Sequence, residues 1–195
     1  MLLSTAYLPP IEYFQKIVGA EIVSVEKHEY FVKQTYRNRC HISGANGVMA
    51  LSIPLINEHE KTLITEKKIS YKENWQHQHW RSIKSAYANS PYFIYYSDEL
   101  ILFYEKKYDF LFDYNTELLQ AVLKLLKIKI ELKFTEIFEK QVENDFRNSI
   151  SPKENVAIKN FKTYTQVFSD KHGFKPNLSI IDLLFNVGPE AGEFL

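Results

Sequence analysis

An apolar run from Leu2 to Tyr7 ends at Pro9-Pro10. A helical repeat follows, Ile11, Phe14, Ile17 and Val18, and then a β-branched run, Ile22, Val23 and Val25. No other feature of the sequence constrains the fold as much as this opening. Proline stops a strand but is tolerated in the first turn of a helix, where its missing N–H is not needed. Gly19 stands where a helix end favours a left-handed residue. Strand, short helix and strand in this order predict a parallel pair joined by a right-handed crossover. The expected class is therefore α/β: a strand–helix–strand start with a mixed sheet flanked by helices. At 195 residues and 45% hydrophobic content, the chain suits a single domain over residues 1–195 with its own core.

Further elements follow from periodicity. Arg39 to Ile42 runs into the turn formers Ser43-Gly44-Ala45-Asn46-Gly47, and Met49, Leu51, Ile53 and Leu55 then alternate, which predicts a hairpin. Residues 57–68 read as a polar loop. Asn74 is placed to cap a helix carrying Trp75, Trp80, Ile83 and Tyr87, which ends before Ser90-Pro91. Tyr92 to Tyr108 is aromatic and fits no single period. Asn115 reads as the cap of a helix buried through Leu118, Leu119, Val122, Leu125 and Leu126. Ile128, Ile130, Leu132 and Phe134 then alternate with charges as the inward face of a strand. Residues 135–162 read as a weakly ordered, peripheral excursion, and a last helix opens at Asn177-Leu178-Ser179 and stops at Gly188-Pro189.

Several function classes are disfavoured. Lys+Arg and Asp+Glu balance at 24 each, so general nucleic-acid binding, which draws on phosphate neutralisation, is not expected. The single cysteine, Cys40, excludes an intramolecular disulfide and a Cys-rich zinc site. No Gly-rich phosphate loop, nucleophile elbow or His-Glu-x-x-His pair is present. No metal and no cofactor are expected. The first residues lack a basic signal-type region, and no apolar run nears the ~20 residues of a membrane helix. A cytoplasmic protein without a membrane span is expected.

The residues that could carry chemistry are few. Arg37 and Arg39 flank Asn38, with Tyr36 beside them, and in an extended chain their two guanidinium forks point the same way and can grip one anion. The alternative is an edge strand with ion pairs. His28, near Glu26 and Glu29, is a weak general-base candidate. Asp182 is a weak catalytic candidate too, although Ser179 and Asp182 also fit a helix-capping pair. Cys40 reads as a buried structural thiol, since His41, its neighbour on a strand, points to the other face. His77 and His79 read as a solvated helix face, because a spacing of two separates them by about 200° on a helix.

Several blocks together resemble the WbqC-like protein family. They are Tyr7-Leu8-Pro9 with Tyr13-Phe14, Arg37-Asn38-Arg39 with Leu51-Ser52-Ile53-Pro54, and Trp80-Arg81 with Ser90-Pro91-Tyr92-Phe93. The most specific is Asn177-Leu178-Ser179-Ile180-Ile181-Asp182-Leu183-Leu184-Phe185-Asn186 with Gly188. Family members begin with His-Gln-Pro, where this chain has Leu3-Ser4-Thr5. The resemblance implies a role in bacterial surface-polysaccharide biosynthesis of the O-antigen type, with group transfer onto a nucleotide-activated amino sugar as the reaction class. A non-catalytic binding or assembly protein of a glycan pathway is the alternative, and a homodimer is compatible with either. On the leading reading, Arg37, Arg39 and Arg81 hold the phosphate of a sugar ligand, and Tyr7, Tyr36 and Trp80 stack on it. Asn38, Asn177, Ser179 and Asn186 complete the site. The loop after Tyr7, the Arg37–Arg39 segment and the Asn177–Asp182 helix start are then expected to meet in one cleft.

Overall fold

The two runs on either side of Pro9-Pro10 and α1 (Ile11–Ile17) form β1 (Leu2–Ser4) and β2 (Ile22–Glu26), paired in parallel with Leu2 opposite Ser24 and Ser4 opposite Glu26. The computed structural model describes residues 1–56, 61–154 and 161–195. β1 is shorter than the apolar run because the chain leaves the sheet after Ser4. Leu8 adopts φ 41, and Tyr7 and Leu8 turn into the core. α1 buries Ile11, Tyr13, Phe14 and Ile17, and Gly19 takes the left-handed conformation (φ 86) just beyond its end. No side chain at Pro10 caps α1. Asn177 does so from a distance, its Oδ1 accepting the Glu12 N–H at 2.9 Å and its Nδ2 donating to Glu12 Oε2 at 3.1 Å.

β3 (Arg39–Gly44) and β4 (Gly47–Ser52) form the expected hairpin, a separate two-stranded sheet whose turn is Ala45-Asn46, with Gly47 at φ 110. Its inner face buries Cys40, Ile42 and Leu51, whereas Val48 and Met49 stay 49% and 39% exposed. The third strand of the parallel sheet, β5 (Glu131–Phe134), pairs with β2 to give the order β1-β2-β5. Its alternation survives only in part. Ile128 and Ile130 precede the strand, Leu132 is half-buried and Phe134 is 37% exposed, because β5 lies at the edge of the sheet.

Helices α2 (Trp75–Tyr87), α3 (Phe93–Glu105) and α4 (Leu111–Leu125) pack in succession, and α5 (Ser169–His172) and α6 (Ile180–Val187) follow. α2 begins where expected, but the Asn74 side chain makes no cap bond. α3 fills the aromatic stretch that periodicity left unassigned. α4 begins four residues before Asn115, which is no cap at all. Asn115 is buried inside the helix, and its Nδ2 donates to the Arg37 carbonyl at 2.7 Å. Leu118, Leu119 and Val122 fill the core as predicted, while Leu125 is only half-buried.

Residues 135–154 are mostly exposed but tied to β1: Leu2 N–H donates to Asn144 C=O and Phe146 N–H to Leu2 C=O. The rest of the predicted excursion from 155 to 160, and residues 57–60 of the predicted loop, lie outside the described residues. Among the described residues, no helix is long and apolar enough to cross a membrane.

Candidate functional site

At the carboxyl end of β1, Ser4 meets two residues of the β2–β3 connection. The Arg37 guanidinium clamps Glu29 with two bonds, Nε to Oε1 at 2.9 Å and Nη2 to Oε2 at 2.6 Å, and Nη2 also donates to Ser4 Oγ at 2.7 Å. Both charges are almost fully buried. A second buried pair, Arg147 with Glu26 at 2.9 Å, lies at the end of β2. The clamp closes the loop between Glu29 and Arg37, and Ile64 N–H to Glu29 C=O and Phe31 N–H to Thr62 C=O hold it from outside. Arg37 is thus committed to the loop's own architecture. The cavity beside it, about 20 Å³, has room for about one water and not for a sugar.

The clamp fixes what the loop displays. The chain turns at Gln34 (φ 59) and delivers Asn38, whose Nδ2 donates to the Ile53 carbonyl at 2.9 Å, and then Arg39, whose Nε donates to Ser52 Oγ at 3.1 Å. A pocket of about 320 Å³ opens here, at the lower end of the small-molecule range. Lys33, Arg39 and Lys67 supply three cations to its lining, Gln34 and Asn38 two amides, and Phe31 an aromatic face. Lys67 is buried, with its Nζ donating to the Ile56 carbonyl at 2.8 Å and lying 5.5 Å from the centre of the Phe31 ring. No carboxylate lines the pocket among the described residues.

His41 follows Arg39 by two positions on β3 and shares its face, about 7 Å away along the strand. Burial, and then the Arg39 charge, lower the His41 pKa, so the ring is held neutral. Tyr36 stands edge-on to it at 5.7 Å. Burial, and then Glu12, push the Tyr36 phenol up to about 12, which keeps it a donor.

The remaining residues singled out in the sequence are distributed elsewhere. The three predicted segments do meet: Tyr7 N–H donates to Tyr36 C=O, Ser179 N–H to His41 C=O and Ile180 N–H to Pro9 C=O. They meet through these backbone hydrogen bonds. Tyr7 lies in the core, its Oη 3.0 Å from His79 Nδ1 and 2.8 Å from Tyr104 Oη. Trp80 packs against Phe93 and Tyr104. Arg81 lines a different groove, beside the hairpin turn. Asn177 is spent on capping α1, and Asn186 Nδ2 donates to the Asp182 carbonyl one turn back.

Ser179 Oγ caps nothing, and Asp182 forms no capping pair with it. The buried Asp182 carboxyl accepts from Tyr87 Oη, Tyr164 Oη and Gln166 Nε2. Burial raises its pKa, and the three donors oppose the shift. His28 donates its backbone N–H to Glu26 Oε1, and its Nε2 is sealed from solvent without a partner among the described residues. Cys40 is fully buried, as expected, and burial holds its thiol far above the ordinary value. Of the two nearby histidines only His77 is solvated. His79 is buried, because α2 turns Trp75, His79 and Ile83 inward together.

Sequence reasoning missed Phe31, Lys33 and Lys67 as parts of the pocket, and His41 as the residue beside Arg39 on β3. For His41 the signal was present, since it alternates with Arg39 on one strand face. Lys67 sits in a stretch whose composition reads only as loop.

Comparison with known proteins adds three findings. An uncharacterized protein of Mycobacterium tuberculosis (strain ATCC 25618 / H37Rv), Rv1507c, is 24% identical over 227 residues, covering 100% of this chain and 96% of its own length. No solved structure matches the chain. The family model described as the WbqC-like protein family matches residues 5–156 and 142–194. The match takes in every resembling block quoted above, and the chain belongs to the WbqC-like protein family.

Proposed function

We propose that this protein binds a phosphorylated sugar, of the nucleotide-activated kind used in bacterial surface-polysaccharide biosynthesis, in the pocket of Lys33, Arg39 and Lys67. The observation that carries the reading is the pocket's composition: three cations, two amides and an aromatic face, with no described carboxylate among them. The Arg39 guanidinium and the Lys33 ammonium can meet the negative charge of a pyrophosphate, and Asn38 and Gln34 offer polar contacts to hydroxyls. Arg37 acts through the loop it clamps, as a positioning residue.

Group transfer is favoured over simple binding by His41. A half-buried imidazole held neutral, on the strand face that bears Arg39, is in the state a general base requires. A phosphate on Arg39 places the attached sugar within reach of that ring.

Thermal-shift titration with UDP-N-acetylglucosamine tests the binding step, because a ligand that binds only the native state raises apparent stability. A saturable rise is expected, and Arg39→Ala should weaken it by about ten- to hundredfold. His41→Gln should keep the shift and lose any turnover of the donor sugar. An equal shift for wild type and for an Arg39→Ala, Lys33→Ala double variant would place the ligand elsewhere.

A further inference from the structure

Among the described residues, one edge of the hairpin carries no partner. Gly44 and Gly47 close a two-residue turn, so the alternation of an antiparallel ladder joins Ile42 to Met49 and Cys40 to Leu51 by hydrogen bonds. Val48 and Ala50 therefore turn their N–H and C=O groups away from β3. The corresponding outward groups of β3 find partners, Ser43 N–H on Tyr87 Oη and His41 C=O on Ser179 N–H. At the base of β4, Ser52 is engaged by the His79 ring. Among the described residues, no such bond reaches Val48 or Ala50. The exposed stretch Val48-Met49-Ala50 has no charge and no proline, the devices by which edge strands usually avoid pairing.

A groove of about 560 Å³ lies beside this edge, between the hairpin tip and α2. On one wall, Gln78, Arg81, Ser82 and Ser85 recur at i, i+3, i+4 and i+7, a single polar face of the helix. On the other side are the hairpin residues Gly44 to Met49, of which Met49 shares the face of Ile42. Arg81 is exposed, with no hydrogen bond or ion pair among the described residues, and no acidic residue lines the groove among them. Lys171 Nζ donates to the Ala45 carbonyl at the turn at 2.7 Å, which brings a cation to that end, and His172 Nε2 lies 3.0 Å from the same oxygen. The groove is separate from the Arg39 pocket. Arg39 and Gly44 stand five positions apart on β3, about 17 Å along the strand.

We propose that this groove is a docking site for an extended acidic peptide, which adds to β4 as a third strand and sets a carboxylate against Arg81. The free backbone groups of Val48 and Ala50 supply the ladder, Met49 an apolar contact, and Arg81 the charge selectivity. Strand addition between a sheet edge and a helix divides recognition in this way, with affinity from main-chain bonds and specificity from side-chain positions.

The probe is a fluorescein-labelled hexapeptide of alternating glutamate and valine, with a lysine–valine counterpart as control. Anisotropy should show saturable binding of the acidic peptide and little of the basic one. Ala50→Pro removes an outward N–H without touching the β3 ladder and should weaken binding about tenfold at an unchanged unfolding midpoint. Arg81→Glu should weaken it about ten- to hundredfold. In the wild-type protein, which needs no variant to fold, the Val48 and Ala50 amides should exchange fast when free and slow down with the acidic peptide. Equal binding of both peptides, no binding at millimolar peptide, or unslowed amides would overturn the proposal. So would protection of the same amides without peptide together with a concentration-dependent doubling of mass, which would assign the edge to a second copy of the chain.

Discussion

Replacing Arg37 by alanine leaves the Glu29 carboxylate buried without its counter-ion, and urea unfolding should show a loss of about 3–5 kcal/mol. A double replacement, Arg37→Met with Glu29→Met, should recover most of it, because a buried ion pair adds little over well-packed apolar groups. Sequence inspection shows an arginine between polar neighbours but not the depth at which it ends, so Arg37 and Arg39 look alike there. The carboxylate that separates their roles, Glu29, is eight positions away, in a loop whose closure has no local signature. His79 is a second case. Burial lowers its pKa to about 4, opposed by its bond to Ser52. A histidine whose folded value lies below its unfolded value favours the native state when neutral. Its contribution is complete above pH ~6.5 and is lost as pH falls toward 4, about 3 kcal/mol in all. The wild-type protein should lose stability over that window by more than His79→Gln does, as read from denaturant midpoints at each pH.

Among the elements, α4 shows where periodicity succeeds. Leu118, Leu119 and Val122 were placed in the core by spacing alone and are buried there. Leu118→Ala should cost ~2–5 kcal/mol. The half-buried Leu125→Ala should cost less, about 1 kcal/mol. The start of α4 was misplaced because the cap preference of asparagine is a local rule, while Asn115 bonds across the molecule to Arg37. α3 escaped because a clean helical pattern needs a solvent face that is polar, and here Ile94, Tyr95 and Leu102 are more than half exposed. The end of α6 is determined more tightly than its Gly-Pro pair conveys. Gly188 takes φ +66, and a Cβ there would lie 2.5 Å from the Tyr92 ring. Gly188→Ala should therefore cost more than the ~1–2 kcal/mol of a left-handed backbone alone. Adding Tyr92→Ala should return part of that loss in the same unfolding assay.

Across the whole molecule, the α/β class and most element boundaries were legible, because they rest on runs of neighbouring residues. The pocket was half legible. Asn38 and Arg39 were marked, but Lys67 and Phe31 reach it from parts of the chain that only the fold brings together. The C-terminal block was the most specific in the sequence, and its structural role is plain: Asn177 caps α1, and Ile180 N–H bonds to the Pro9 carbonyl. Removing residues 177–195 should abolish cooperative thermal unfolding. The same arrangement has a consequence for synthesis. A ribosome makes β1, α1 and β2 well before Asn177 and Ile180, which supply the cap and backbone bonds that complete them. At roughly 5–20 residues per second, the first apolar elements wait about 8–30 s for the segment that closes over them. Through that interval the nascent chain carries Phe14, Ile17 and Val23 without their final cover, and the native packing is reached only after Ile180 has left the tunnel.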